Sequence, residues 1–485
     1  MDKKETLKNK DKEDKNTAVY KEVAKTNKLF YLDSIYASIK DGINNNFVIP
    51  FALALKAPND IISIINAAPN LVGSFFQLFT SDLINILKSR KKVIVFAALI
   101  DALMWLPIIL IPFLWSKNYF LLINFLIIQA ISNSILNPFF NSLLADIVST
   151  EQRGKVLARM NQLSSLFSLL SSLIAGFVLS SFKNINSFIG FGIIFFTAFF
   201  SRLVSTLIKT RFYEPNHKIE EKKELSFFKF LFNIRKSNFG QFVMYNSWIK
   251  FAVGMSAPFF SVYMLQYLKM DYLTYSIVNG GAIISSFLVL NLWGKTIDEK
   301  GSRWMLGIGG LLIPLIPVFW IIFKDPWILF IIELFSGAAW AAYNLSTSNF
   351  VLESTSKEER IRMLSYYNFF AGFATFIGAF IGGKLMTKLP LDYFGNLFYF
   401  VFGLSALLRL IFSLYFLRKI KSERFTGLEI ISPIERRITS IIPKEGTLWE
   451  LIPYREIEEI GKKINEKITE TIRKKKQNEM FRKKK

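Results

Sequence analysis

Residues 141–176 and 348–383 are two copies of one stretch. NSLLADIVSTEQRGKVLARMNQLSSLFSLLSSLIAG and SNFVLESTSKEERIRMLSYYNFFAGFATFIGAFIGG hold an acid, an arginine, an asparagine and a glycine in register. Asp146 answers to Glu353, Arg153 to Arg360, Asn161 to Asn368 and Gly176 to Gly383, all at one offset (360 − 153 = 207). Pro50-Phe51 recurs as Pro258-Phe259 (258 − 50 = 208), and Arg202 as Arg409 (409 − 202 = 207). A duplication of that period makes the folding unit about half of the chain. In each copy an apolar helix enters a short charged turn and a Ser/Gly-rich apolar helix leaves it.

What each half can be follows from length and polarity. Segments of roughly 20 apolar residues, enough to cross about 30 Å of hydrocarbon as a helix, succeed one another from Leu29 to Leu417. They predict spans at 29–54, 60–84, 92–115, 119–147, 154–182, 187–209, 238–266, 272–293, 304–323, 327–351, 360–387 and 393–417. The chain is 52% hydrophobic yet carries a formal charge of +23, the balance of a multi-span membrane protein with basic ends. The turns alternate between bare and basic. Lys56, Lys117, Lys183, Lys269 and Lys324 are nearly alone in theirs, and the other set holds 88–92, 153–159, 209–236, 295–303 and 357–362. Cytoplasmic loops carry the Lys/Arg excess, so the basic turns and both termini are expected in the cytoplasm and the spans in the cell membrane.

The expected fold is therefore all-α and polytopic, twelve transmembrane helices in two pseudo-symmetric six-helix halves. Residues 1–28 read as a mobile tail without a cleavable signal, 29–210 and 238–418 as the halves, 211–237 as a linker and 419–485 as a basic tail. In that tail Ile457, Ile460, Ile464, Ile468 and Ile472 predict an amphipathic helix, lying on anionic lipid or against the bundle. Cysteine is absent and His217 is the single histidine, which excludes thiol chemistry and leaves little for a metal site. No cofactor is expected. Neither paired catalytic carboxylates nor a nucleotide-binding glycine loop is present, so an enzyme and an ATP-driven pump are both disfavoured.

Here the sequence resembles the major facilitator superfamily. That family's signature turn, between the second and third spans of a half, has a glycine, an acid four residues on, a second glycine and a basic residue. LWGKTIDEKGSRW supplies them as Gly294, Asp298, Gly301 and Arg303. In the first half, aligning Arg90 with Arg303 puts Ser81, Asn85 and Lys88 in place of Gly, Asp and Gly, with Asp82 nearby. The resemblance covers about Leu29 to Leu417. It implies a charge cluster at the cytoplasmic face, Arg303–Glu353–Arg360 in the second half and Arg90–Asp146–Arg153 in the first. The plainer reading is topogenic charge at the membrane surface. Either way Arg153 and Arg360 begin outgoing helices while Asp146 and Glu353 end incoming ones, against the helix dipole, so another contact must hold them.

Ionisable groups inside a span cost about 3 kcal/mol each on insertion scales and mark functional sites by default. Lys40, Asp41, Asp101, Lys250 and Glu333 are such groups. The resemblance implies that the first, fourth, seventh and tenth spans line a central cavity, which selects Asp41, with Asn45 on its helical face, Lys250 and Glu333. Lys40 reads as snorkelling, as do Arg202 and Arg409. The fourth span repeats Gln129, Asn133 and Asn137 at every fourth position, and the tenth carries Glu333, Trp340 and Asn344 at nearly that spacing. Such stripes line a watery cavity or glue helices together, at about 0.6 kcal/mol per contact. The Ser-rich fifth span reads as close packing.

These observations predict a monomeric secondary transporter that moves a small-molecule substrate by alternating access at a midplane site, in contact with the lipid bilayer and with no nucleic acid. Coupling to protons rests on Asp41 and Glu333, and Asp41 is expected to face Lys250. The alternatives are an uncoupled facilitator and a transport-inactive receptor or scaffold of the same fold, which an occluded apolar centre would favour.

Overall fold

In the computed structural model of the chain, the described residues are 2–80, 83, 89–115, 118–215, 227–355, 359–388 and 396–420. Ser81, Asp82, Asn85, Lys88, His217 and the isoleucines of the tail lie outside them. Among the described residues there is helix and no strand. Helices α1 (Asp2–Ala54) and α2 (Asn59–Gln77) precede α3 (Arg90–Leu114), α4 (Tyr119–Ile147), α5 (Thr150–Phe182) and α6 (Ser187–Lys209). The second half follows as α7 (Asn238–Tyr267), α8 (Tyr272–Lys300), α9 (Ser302–Ile322), α10 (Pro326–Ser354), α11 (Arg360–Lys388) and α12 (Leu397–Phe416). From α3 to α12 there are ten helices long and apolar enough to cross a membrane. The more polar α1 and α2 complete the twelve, so the expected fold class holds.

Residues 2–28 are helical, because α1 runs unbroken from Asp2. No proline or glycine occurs before Gly42, and a helix once nucleated propagates through mixed-charge sequence that contains no breaker.

Helix ends are set by local chemistry. At the end of the bundle that carries the bare turns, Asn118, Asn186, Asp271, Asp325 and Asn396 cap α4, α6, α8, α10 and α12, each accepting the N–H two residues on. Such a cap contributes about 1 kcal/mol. At the opposite, basic end the α8–α9 turn rests on Gly301, whose φ of 89° and ψ of 157° suit only glycine. Gly301→Ala is expected to cost about 1–3 kcal/mol, read as a lower thermal midpoint in detergent; an unchanged midpoint would contradict the strain argument.

Small residues bring the helices together, as expected where lipid supplies no hydrophobic drive. A Cβ on Gly42 would lie 2.3 Å from Ser171 Oγ and 2.4 Å from the Ser168 carbonyl, which seats α1 on the Ser-rich α5. Gly378 and Gly382 do the same for α11 on α7, against the carbonyls of Phe251 and Met255.

Candidate functional site

A cavity of about 1140 Å³ lies between the halves. Along α1 it runs from Asp33 to Ile49, and along α2 it begins at Ile65, so it reaches toward the basic end and stops short of the bare turns. The first half supplies most of the wall, from α1, α2, α4, α5 and α6; α7, α8 and α11 supply the rest. Asp41, Asn45, Gln129, Asn133, Asn137 and Lys250 all line it.

Glu333, Trp340 and Asn344 do not line it. The tenth span is drawn onto α8 instead: a Cβ on Gly337 would meet the Ala282 carbonyl at 2.1 Å, Ser286 Oγ donates to the Gly337 carbonyl (2.9 Å), and Trp293 Nε1 to that of Ala338 (3.0 Å). Glu333 packs its Cβ against Gly281 of α8. Trp340 touches the cavity at second hand, because Lys250 Nζ stands 5.2 Å from its ring centroid. Asn344 is exposed.

The expected Asp41–Lys250 contact is not among the ion pairs of the described residues. Asp41 Oδ1 takes the neighbouring Lys40 ammonium at 2.9 Å, with the carboxylate side chain 53% exposed. Lys40 does not snorkel: it is 5% exposed and also reaches Asp101 Oδ2 at 3.3 Å. Nor is Arg202 an anchor at the membrane surface. It is buried, with Nε 2.6 Å from Asp101 Oδ2 and Nη2 donating to Asn133 Oδ1 at 3.0 Å. Asn133 Nδ2 closes the ring by donating to Asp101 Oδ1 (3.0 Å), and Gln129 Nε2 donates to the Asp101 carbonyl (3.2 Å). The α4 stripe thus both lines the cavity and glues α3 to α6, as buried charge demands full pairing. Nearer the basic end, buried Asp33 accepts from Lys209 and from Ser205 Oγ.

In the second half Arg409 is as deeply buried as Arg202, but its partners are neutral: Ser256 Oγ at 2.7 Å and the Ile313 carbonyl at 3.3 Å. It too is no surface anchor.

The charged turns show what holds Arg153 and Arg360. Arg153 Nη2 turns back to the Ala145 carbonyl (2.7 Å) at the end of α4, and Arg360 Nη2 to the Leu352 carbonyl (3.2 Å) at the end of α10. The two acceptors are again 207 residues apart (352 − 145 = 207), so the duplication preserves the bond itself. Each cation meets the negative end of the preceding helix, which resolves the dipole conflict. Arg90 Nη1 pairs with Asp146 Oδ2 (2.7 Å), and Glu353 accepts from Ser302 Oγ. In both halves, then, the acid ending the fourth helix ties down the start of the third. Arg303 binds elsewhere, its Nε on the Ile420 carbonyl and Nη2 on that of Leu417 (3.2 Å) after α12. Asp298 is exposed and has no hydrogen bond or ion pair among the described residues, and Gly294 faces open space, so neither links the halves among the described residues. Sequence reasoning missed Glu214, whose carboxylate takes Ser89 Oγ (2.7 Å) and the N–H groups of Arg90 and Lys91 at the head of α3.

At the end with the bare turns the halves are shut. A Cβ on Gly176 of α5 would lie 2.2 Å from Ser276 Oγ of α8, and one on Gly383 of α11 would lie 2.2 Å from Ser63 Oγ of α2. Lys384 pairs with Asp60 across the second contact at 3.1 Å. Ser180 Oγ donates to Asp271 across the first. Burial would raise the Asp271 carboxyl, but hydrogen bonds from Thr274, Ser180 and Leu273 outweigh it and hold the group below its ordinary range. A depressed folded value means this contact is at full strength above about pH 4 and is lost as pH falls through the depressed value. Among the described residues no group of acids or histidine is arranged to hold a metal ion.

Comparison with known proteins matches the Major Facilitator Superfamily over residues 35–256 and again over 239–452. No curated protein sequence matches. Among solved structures, the nucleoside transporter NupG superposes with a TM-score of 0.63 at 12% identity, covering 82% of this chain and 99% of that one. A bacterial homologue of the iron transporter ferroportin, in an inward-facing state, gives 0.61 at 13%, covering 81% and 99%. The human organic anion transporter MFSD10 gives 0.58 at 12%, covering 81% and 99%. At these identities the likeness is one of fold.

Proposed function

Because the chain belongs to the major facilitator superfamily, we propose that it carries a small polar solute across the cell membrane by alternating access. The observation that carries this reading is the polar cavity between the halves, reached from the basic end and closed at the other by the Gly176 and Gly383 contacts. A receptor or scaffold has no need of a polar chamber, and an apolar, filled centre would have favoured one. On this reading the basic end and both termini face the cytoplasm, and the conformation is inward-facing. A single chain contains the whole cavity, so a monomer suffices.

Proton coupling needs a carboxylate whose proton affinity changes with conformation. Asp33 and Asp101 are buried against cations, which leaves Asp41 at the cavity wall and Glu333, without a cation partner among the described residues. The pairing of Asp41 with Lys40 favours the second reading, an uncoupled facilitator. Uptake by the purified chain in lipid vesicles, with and without an inward proton gradient, separates the two. Gradient-driven accumulation that Asp41→Asn abolishes, with exchange retained, supports coupling; equal uptake in both conditions supports the facilitator. No uptake of any solute in a broad screen would end the transport reading.

Asp298 belongs to this proposal as a latch of the opposite conformation. Being exposed and unpaired here, it has a partner to gain when the basic end closes. Asp298→Asn is expected to leave expression and thermal midpoint unchanged and to slow turnover; a parent-like rate would rule the latch out.

A further inference from the structure

The charges around the cavity are not evenly shared. On the first half's side, three carboxylates, Asp33, Asp41 and Asp101, meet three cations, Lys40, Arg202 and Lys209, in direct ion pairs. That wall is electrically balanced. Across the cavity stands Lys250, and among the described residues no carboxylate lies within ion-pair distance of it; its contact is the face of Trp340. Six residues further along α7, Ser256 holds Arg409, a buried cation that likewise has no acid among its hydrogen-bond partners; Lys250 itself is half-buried at the cavity wall. A lysine ammonium kept in a protein interior without a counter-ion is costly, and a mobile anion removes that cost.

We propose that Lys250 is the anion subsite of this cavity, and that the solute carried is a small organic anion. Its carboxylate or phosphate sits on the Lys250 ammonium, and its hydroxyl or amide groups meet the asparagine side chains of α1 and α4. Asn45 and Asn137 each offer donors as well as acceptors at the cavity wall, which suits a hydroxylated anion better than an apolar one. Trp340 holds the ammonium in place by its ring face and leaves its N–H hydrogens pointing to the solute. The inference rests on the transport reading but can fail separately from it.

The test uses three solutes that share one polyol skeleton and differ in charge: glucose, gluconate and glucose 6-phosphate, with choline as the cation. Thermal midpoints of the full chain in detergent are measured at millimolar concentrations of each. Gluconate or glucose 6-phosphate is expected to raise the midpoint while glucose and choline do not, and the anion that acts tells carboxylate from phosphate. In Lys250→Ala the shift disappears, or the concentration needed for it rises by at least about tenfold, as for loss of a charge-assisted hydrogen bond. Lys250→Arg retains it. Lys250→Ala must first show a parent-like elution profile; if it does not fold, Lys250→Gln, which keeps the stem, takes its place. A shift with glucose or choline alone, no shift with any of the four, or an anion shift that survives loss of the ammonium overturns the proposal. Uptake of a neutral or cationic solute by vesicles containing the parent would leave transport standing and remove only the anion subsite.

Discussion

Asp101→Asn is expected to cost about 3–5 kcal/mol, the range for breaking a buried ion pair from one side, and to leave little folded protein. The carboxylate is fully buried and takes Lys40 at 3.3 Å and Arg202 at 2.6 Å. An asparagine fits the space but leaves two cations in the interior with one remaining acid, Asp41, on the side of Lys40 only. The loss is expected as a collapse of the monodisperse elution peak and of the thermal midpoint. The double variant Asp101→Asn with Arg202→Gln, which removes one charge of each sign, should recover part of it. Equal instability of the single and the double variants would show that shape rather than charge sets the cost.

Gly383→Val carries the second large effect, on conformation rather than on folding. The added carbon would meet Ser63 Oγ at 2.2 Å and Asp60 Cα at 2.9 Å, so α2 and α11 must part. Overpacking costs about 1–3 kcal/mol, which corresponds to roughly a five- to 150-fold shift between two conformations of the halves. The penalty falls only where the two helices touch, so the conformation parted there is favoured. Because the chain lacks cysteine, a single reporter reads the result. Ser276→Cys on α8, buried in the other inter-half contact, should react slowly with a membrane-impermeant maleimide in the parent and much faster beside Gly383→Val. On the proposed alternating-access reading transport should fall, since each cycle would pass through the closed contact. Unchanged reactivity would mean that the two contacts open independently.

Much of this was legible in the sequence, because the duplication and the apolar spans are local or periodic signals. The sixth span was read at 187–209 and α6 is Ser187–Lys209. The cavity positions of Asp41, Asn45 and Lys250 follow from ionisable groups on the spans that the family resemblance places at the centre, and all three line one cavity, Lys250 opposite the other two. What could not be read was partner choice. Arg202 and Asp101 meet across α6 and α3, and nothing in a linear spacing says that a buried arginine will find an acid about 100 residues away rather than reach for the surface. Glu214 at the head of α3 is invisible for the same reason. Glu333, Trp340 and Asn344 are expected at the cavity because the family resemblance places the tenth span there and their spacing makes a stripe. The small residues Gly281 and Gly337 should have warned of the opposite, since they mark the face where α10 closes on α8.

The unlike fates of Arg202 and Arg409 bear on how such a molecule bends. Around Arg202 the first half is cross-linked by charged hydrogen bonds, which are directional and tolerate little displacement before they break. Arg409 is held by a neutral hydroxyl and a carbonyl, and elsewhere the second half packs through rings, with Phe242 stacked on Phe350 and Phe260 on Phe402, each pair 4.4 Å apart. Tyr263, against Phe402, begins the π-helical turn that ends α7. Stacked rings can slide over one another at small cost, and a π turn is a ready place for a helix to change pitch. The duplicated halves have therefore become mechanically unequal: one is a braced frame and the other a compliant wall. On the proposed alternating-access reading, most of the internal deformation is expected in the half that carries Lys250.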